Sequence, residues 1–287
     1  MSTTGPATGD RYALNLSLPP LRGRPLGPRM EAAAVAGFSL VETWWPFPTP
    51  QPGKAQAEEV RAALADAGTR LVCMNIDAGD MASGERGILS DPGRRRDCAL
   101  SITAAVEFAS SVGCRLLNLP YGNRLPQYSR EEQHRTAHEN LLLAAELANG
   151  HGISVLIEAL NPLDNPDYLL PDVDMAAGLV RRTRREGAAA TGLLLDVYHL
   201  ARMGQDPVDA IGRHGDALVH VQFADVPGRI CPGTGGLDFT RVVEALRTAR
   251  YDGLVGLEFD SRAGSGPSEA RSFVSRHPLG DTGRSAT

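Results

Sequence analysis

Short apolar runs recur along the chain, each followed by a longer amphipathic or alanine-rich stretch, and eight such pairs can be drawn. The runs are YALNLS (12–17), LVET (40–43), RLVCMN (70–75), RLLNLP (115–120), SVLIEAL (154–160), GLLLDV (192–197), ALVHVQFA (217–224) and LVGLEF (254–259). Most are continuous rather than alternating, the pattern of strands covered on both faces in a parallel sheet. The segments between them carry helix punctuation. KAQAEEVRAALADAG ends on glycine, and SREEQHRTAHENLLLAAELANGHG opens with Ser129 as an N-cap and Glu132 three residues on. Eight strand–helix units predict an α/β fold, a single (β/α)8 barrel, for which 287 residues is an ordinary length. The rival, a doubly wound open sheet, would show a GxGxxG turn after its first strand; here that strand runs into LPPLRGRPLGP. The pattern defines one domain over 10–275, and the small polar residues of 276–287 predict a disordered tail.

Composition narrows the functional classes. A hydrophobic fraction of 42% supports a sizeable core, and a formal charge of -5 gives nucleic-acid binding no bulk electrostatic support. No apolar run approaches the ~20 residues needed to span a bilayer, so no membrane partner is expected. Cys73, Cys98, Cys114 and Cys231 show neither CxxC pairing nor zinc-finger spacing. They read as free thiols, and with a polar N-terminus lacking a signal-peptide core they place the chain in the cytoplasm. A homo-oligomer is left open.

In such a barrel the working face lies at the C-terminal ends of the strands. Glu158, Asp196, Gln222 and Glu258 end four consecutive runs. One such acid is often only a helix cap or salt-bridge partner; four on successive strands point to a shared cation. All four offer oxygen, which predicts one divalent metal ion, Mg²⁺ or Mn²⁺ rather than zinc. Around them stand candidate substrate contacts. His199 lies three residues after Asp196, and His220 two before Gln222, on the same side of its strand. Arg229 sits in the flexible loop DVPGRICPGTGG, where it suits a substrate carboxylate. PGTGG itself lacks the pattern of a phosphate loop. Trp44, Trp45 and Phe47 would wall the pocket. Glu42, which ends the same strand, is a candidate substrate contact or a support to the residues that make one, and His220 would orient a ligand or contact the substrate. The long loop NIDAGDMASGERGILSDPGRRR, which holds Asn75 and Glu85, has the length of a lid.

These residues resemble the hydroxypyruvate isomerase family, within the larger group of xylose-isomerase-like barrels. The most specific piece is AGDMASGERG (78–87), with PGR shortly after. IEALN around Glu158, LDVYH around Asp196, HVQFAD around Gln222, PGTG at 232–235 and the strand-end Glu258 follow in matching order. The resemblance implies a single metal at Glu158, Asp196, Gln222 and Glu258, with Glu158 and Glu258 as the acid/base pair. It implies a small hydroxy-carbonyl acid as substrate, of the hydroxypyruvate and tartronate semialdehyde type, isomerised by proton transfer through an enediolate. A ketose 3-epimerase with the same site is the nearest alternative. A metal-dependent endonuclease would need a His-rich multi-zinc site and a basic groove, neither visible here; a catalytically silent ligand-binding barrel comes from another class. Two departures bear on substrate choice. Met74 stands where the family has His, and Cys231 where it has Glu before PGTG; both are expected near the pocket.

Overall fold

The computed structural model describes residues 11–19, 21–260 and 266–280. Eight strands close into a barrel in chain order, every neighbouring pair parallel. They are β1 (Tyr12–Asn15), β2 (Leu40–Thr43), β3 (Arg70–Asn75), β4 (Leu116–Asn118), β5 (Ser154–Glu158), β6 (Thr191–Asp196), β7 (Leu218–Phe223) and β8 (Val255–Leu257). The helices are α1 (Leu26–Val35), α2 (Lys54–Ala67), α3 (Arg95–Val112), α4 (Arg130–Asn149), α5 (Val173–Arg185), α6 (Val197–Arg202), α7 (Pro207–His214), α8 (Phe239–Thr248) and α9 (Pro267–Arg276). Every apolar run of the sequence forms its strand: 40–43 and 70–75 do so over their full length, β6 starts one residue early and gives up Val197 to α6, and the others are trimmed at one or both ends. The Ser129 cap forms as its spacing predicts, its hydroxyl accepting from the Glu132 amide at 3.1 Å.

Side-chain alternation on the strands splits the core in two. Cys73, Leu156 and Leu194 fill the barrel interior. The residues next to them in sequence, Met74, Ile157 and Leu195 among them, face outward into a much larger apolar layer under the helices. The register then aligns polar residues at the C-terminal rim. Asn15 pairs with Glu42, Asn75 with Asn118, and Asp196 with Gln222. Gly256 lies beside Gln222, and a Cβ there would come within 2.3 Å of a Glu42 carboxylate oxygen. The missing side chain is what leaves room for that carboxylate inside the barrel.

α9 closes the shell. Phe273 is fully buried and meets the rings of Tyr12, Phe223 and Phe239 edge-on, at centroid distances of 6.2, 6.2 and 5.1 Å. Beyond it the Tyr12 hydroxyl donates to the His277 carbonyl at 2.6 Å, and Leu279 is buried. These contacts hold residues 277–279 against the shell, and of the tail expected over 276–287, residues 281–287 lie outside the described residues. Among the described residues no helix is long and apolar enough to cross a membrane. All four cysteines are buried free thiols.

Phe273→Ala empties a fully enclosed aromatic site and is expected to cost about 3–5 kcal/mol. Urea unfolding should show a lower midpoint at unchanged slope; a loss under about 1 kcal/mol would mean that α9 carries little of the core.

Candidate active site

Three carboxyl groups are buried together at the C-terminal end of the barrel: Glu158 and Glu258 line the cavity, and Asp196 lies beside them. Each is anchored by a different element. Asn118 of β4 donates to Glu158 Oε2 at 2.8 Å. Asp196 is both a cap and a site residue: Oδ1 accepts from the Tyr198 amide at 2.8 Å and starts α6, a turn that the sequence reading did not separate from the strand. Its Oδ2 accepts from Arg229 Nη2 at 3.0 Å. The same nitrogen reaches Glu258 Oε2 at 2.7 Å, and the Trp44 indole donates to Glu258 Oε1 at 2.7 Å.

Arg229 is delivered by a loop built around another acid. Asp225, fully buried, accepts backbone N–H bonds from Val226, Gly233, Gly235 and Leu237. PGTGG thus wraps a carboxylate of the protein itself. A Cβ at Gly235 would lie 2.3 Å from the Val226 carbonyl oxygen, so the close wrap requires glycine there. Arg229 takes a positive φ of 58° at the turn, and its guanidinium passes over the Tyr198 ring, 5.3 Å from the centroid.

Burial pushes all three carboxylates toward their neutral forms. For Glu158 the shift is large, with Glu258 and Asp196 adding repulsion. Asp196 is pushed up to about 7 by burial, against the pull of Arg229. Glu258 is raised by burial and opposed by Arg229 and Trp44. His199 is held well below its ordinary value by burial and by Arg229, so its ring is neutral. Its Nδ1 accepts from the Asn161 backbone at 3.1 Å and from the Asn161 side chain at 2.7 Å. The ring proton is thereby assigned to Nε2, which stands 3.6 Å from Asp196 Oδ2 and 3.9 Å from Glu158 Oε1. A nitrogen carrying its proton cannot ligate a cation; it can donate to a substrate oxygen.

Beneath the three carboxyl groups Glu42 accepts from Gln222 Nε2 at 3.0 Å, from Asn15 at 3.5 Å and from His220 Nε2. Spending the Gln222 amide nitrogen on Glu42 leaves its Oε1 buried without any partner. His220 is fully enclosed and its Nδ1 is also unpartnered. Glu42 and His220, for which the sequence left both a substrate contact and a supporting role open, form a buried pair against Gln222, and neither lines the cavity.

The cavity measures about 280 Å³, the scale of a small ligand. Asn75, His199, Gln222 and Arg229 line it, as the sequence suggested. Trp44 lines it, whereas Trp45 donates to the Thr49 carbonyl and packs on Phe47 one recess away. Glu85 does not line it: it accepts from Arg94 at 2.8 Å and from the Asp80 amide at 2.6 Å, folding the β3–α3 loop. That loop supplies Ala78, Met81 and Arg86 to the wall. The two departures are corrected in position. Met74 points outward into the helical layer, one residue out of phase with Asn75. Cys231 is buried in the same layer, where Glu269 and Arg276 of α9 act on its thiol. Neither touches the cavity. Sequence reasoning also missed Asn118, Asn161, Arg86 and Arg22. Asn118 could have been found, as another polar residue ending an apolar run; the others come from loops without periodicity.

The donor set fits a hard divalent cation. Glu158, Asp196 and His199 place ligand-type atoms within 4.8 Å of one another. Three buried carboxyl groups face one guanidinium, two more than its charge can offset when they ionise, and Gln222 Oε1 lacks a partner. With His199 protonated on the inward nitrogen, the remaining donors are oxygens.

Comparison with known proteins agrees with the geometry. Residues 30–276 match the sequence profile of the xylose isomerase-like TIM barrel family, to which the chain belongs. Within it the chain is an isomerase of the hydroxypyruvate isomerase group. It is 32% identical to hydroxypyruvate isomerase of Escherichia coli, over 80% of this chain and 86% of that protein. It is 33% identical to 2-oxo-tetronate isomerase of Cupriavidus necator, over 89% and 94%. A Streptomyces coelicolor protein provisionally named hydroxypyruvate isomerase reaches 41% over 92% and 94%. Among solved structures, a Brucella melitensis protein described as a family 2 AP endonuclease superposes with a TM-score of 0.82 at 30% identity, covering 94% of this chain and 99% of that one.

If Glu42 orients Gln222, then Glu42→Gln should weaken Mn²⁺ binding about 10- to 100-fold while the fold persists. Trp44 fluorescence in a Trp45→Phe background provides the titration signal; an unchanged affinity would remove Glu42 from the support of the site.

Proposed function

We propose that the protein is a divalent-metal-dependent isomerase of a small hydroxy-carbonyl acid, of the hydroxypyruvate or 2-oxo-tetronate kind. The observation that carries this reading is the buried excess of carboxyl groups beside an unpartnered amide oxygen, in a cavity sized for a small molecule. Glu158, Asp196, Gln222 and Glu258 would hold Mg²⁺ or Mn²⁺. When bound, the cation supplies Lewis-acid stabilisation of negative charge developing on substrate oxygens.

The chain's own residues move the proton. One of the two glutamates removes it from the hydroxyl-bearing carbon, and the other delivers one to the neighbouring carbonyl carbon. In the same step the former carbonyl oxygen gains a proton and the hydroxyl oxygen loses one. Glu258, held by Trp44 and Arg229, is the better-supported base. Glu158 has a single donor and two acidic neighbours, so it is the more easily protonated and suits the returning role. His199 Nε2–H is available to a substrate oxygen. Trp44, Leu160 and Tyr198 line the cavity and limit water around the reacting carbons. After each turnover the glutamates reset by exchange with solvent, so deuterium from ²H₂O should enter the product.

The test is to incubate the Mg²⁺- or Mn²⁺-loaded protein with hydroxypyruvate, 2-oxo-tetronate and neutral ketoses in ²H₂O and follow carbon-bound deuterium by NMR. Exchange with the acids is expected. Preference for ketoses would favour an epimerase, and exchange with none would leave a ligand-binding barrel. Chelation with EDTA should abolish turnover, and added Mg²⁺ or Mn²⁺ should restore it. Glu158→Gln and Glu258→Gln should each lower kcat by about 10²–10⁴. Because both are also expected ligands, Mn²⁺ occupancy must be measured with the rate; a variant that retains both metal and turnover drops out of the mechanism.

A further inference from the structure

Two guanidiniums line the cavity without an acidic partner among the described residues. Arg86, from the β3–α3 loop, is half-buried and held entirely by neutral acceptors: Nε donates to Asn165 Oδ1 at 3.0 Å, and Nη1 to the carbonyls of Glu85 at 2.8 Å and Met81 at 3.3 Å. Among the described residues its Nη2 finds no hydrogen-bond acceptor and no carboxylate within ion-pair distance, although the side chain is already fixed in place. Arg22, in the 3-10 turn Leu21–Gly23 after β1, lies over the Trp44 ring at 5.1 Å and likewise has no acid beside it. Arg229 differs, because its charge is set against Asp196 and Glu258. A carboxylate brought to Arg229 would meet both of those like charges at close range.

We propose that Arg86, assisted by Arg22, is the carboxylate-binding end of the cavity and makes the enzyme select hydroxy-carbonyl acids over neutral ketoses. This rests on the isomerase reading given above and deepens it. The cavity then has two poles. The acidic floor serves the hydroxy-carbonyl end, and the wall takes the carboxylate, to which the free Nη2 of Arg86 can donate charge-assisted hydrogen bonds. Asn165 holds the Nε side of Arg86 and leaves the Nη2 side open. A fixed donor of this kind loses little freedom on binding, so it can discriminate by charge at low entropic cost. Arg22, Trp44, Asn75, Ala78 and Met81 also line a second recess of about 340 Å³, so the cationic wall has room for an acid longer than three carbons.

The probe is D-glycerate, which carries the carboxylate and hydroxyls but has no carbonyl to isomerise, with glycerol as its neutral counterpart. Calorimetry on the Mn²⁺-loaded full chain should show glycerate binding at least tenfold tighter than glycerol. Arg86→Gln should weaken glycerate at least tenfold and leave Mn²⁺ affinity unchanged, and Arg86→Lys should recover part of the loss. On whichever acid proves to be turned over, Arg86→Gln should raise KM tenfold or more with kcat within threefold. Arg22→Gln, at an exposed position, should weaken glycerate at least threefold and keeps the test open if Arg86→Gln is unstable. Equal binding of glycerate by wild type and these variants overturns the assignment, as does a wild type that fails to prefer glycerate over glycerol. Binding of glycerate is read without turnover, so absence of isomerase activity would overturn the catalytic reading and leave the carboxylate site to be judged separately.

Discussion

Three ionisable carboxylates in a space that water hardly enters are the constraint around which the upper half of the barrel is built. An uncompensated buried ion costs several kcal/mol, so each must be answered by a donor or a counter-charge. Asn118 answers Glu158, the α6 amide answers one oxygen of Asp196, and the Trp44 indole answers one oxygen of Glu258. Arg229 spans the remaining oxygens of Asp196 and Glu258. When all three ionise, the compensation is incomplete by two charges, and this is the electrostatic opening that a divalent cation would fill.

Most of the apparent elaboration of the loops serves that arrangement. The β7–α8 loop gathers four N–H groups on Asp225 and so presents Arg229 at a turn that an arginine rarely adopts. The β3–α3 loop folds on Glu85 and Asp80 and is tied to the next loop by Asn123, which donates to the Gly84 carbonyl. Gly87 passes so close to Pro120 that a Cβ would sit 2.0 Å from its carbonyl oxygen. These contacts place Arg86 and Met81 on the wall by backbone geometry rather than by side-chain packing alone.

The barrel itself does not choose the substrate. A D-psicose 3-epimerase structure shares the fold with a TM-score of 0.77 at 19% identity, and identity that low speaks for architecture only. What distinguishes one such barrel from another is the rim, where the loops set which charges face the cavity. Here Arg22 and Arg86 face the acidic floor, and the acid that shares their rim, Asp164, is paired with Arg202.

The sequence by itself determined the strand order, the helices other than α6 and the four oxygen-bearing strand ends. Those features are periodic or local: short continuous apolar runs at regular spacing read as covered strands, and a cap such as Ser129 acts within its own turn. It misled where direction mattered. Met74 and Asn75 are adjacent in the chain yet face opposite sides of β3, so a substitution beside a site residue lay outside the cavity. Whether Glu42 and His220 meet a ligand or each other was decided by the closure of the barrel, which brings β2 and β7 together beneath Gly256 across about 180 residues. The same holds for Arg229, whose partners Asp196 and Glu258 lie on strands that no local pattern connects to its loop. Charge pairing depends on distance in space, and only the folded chain sets those distances.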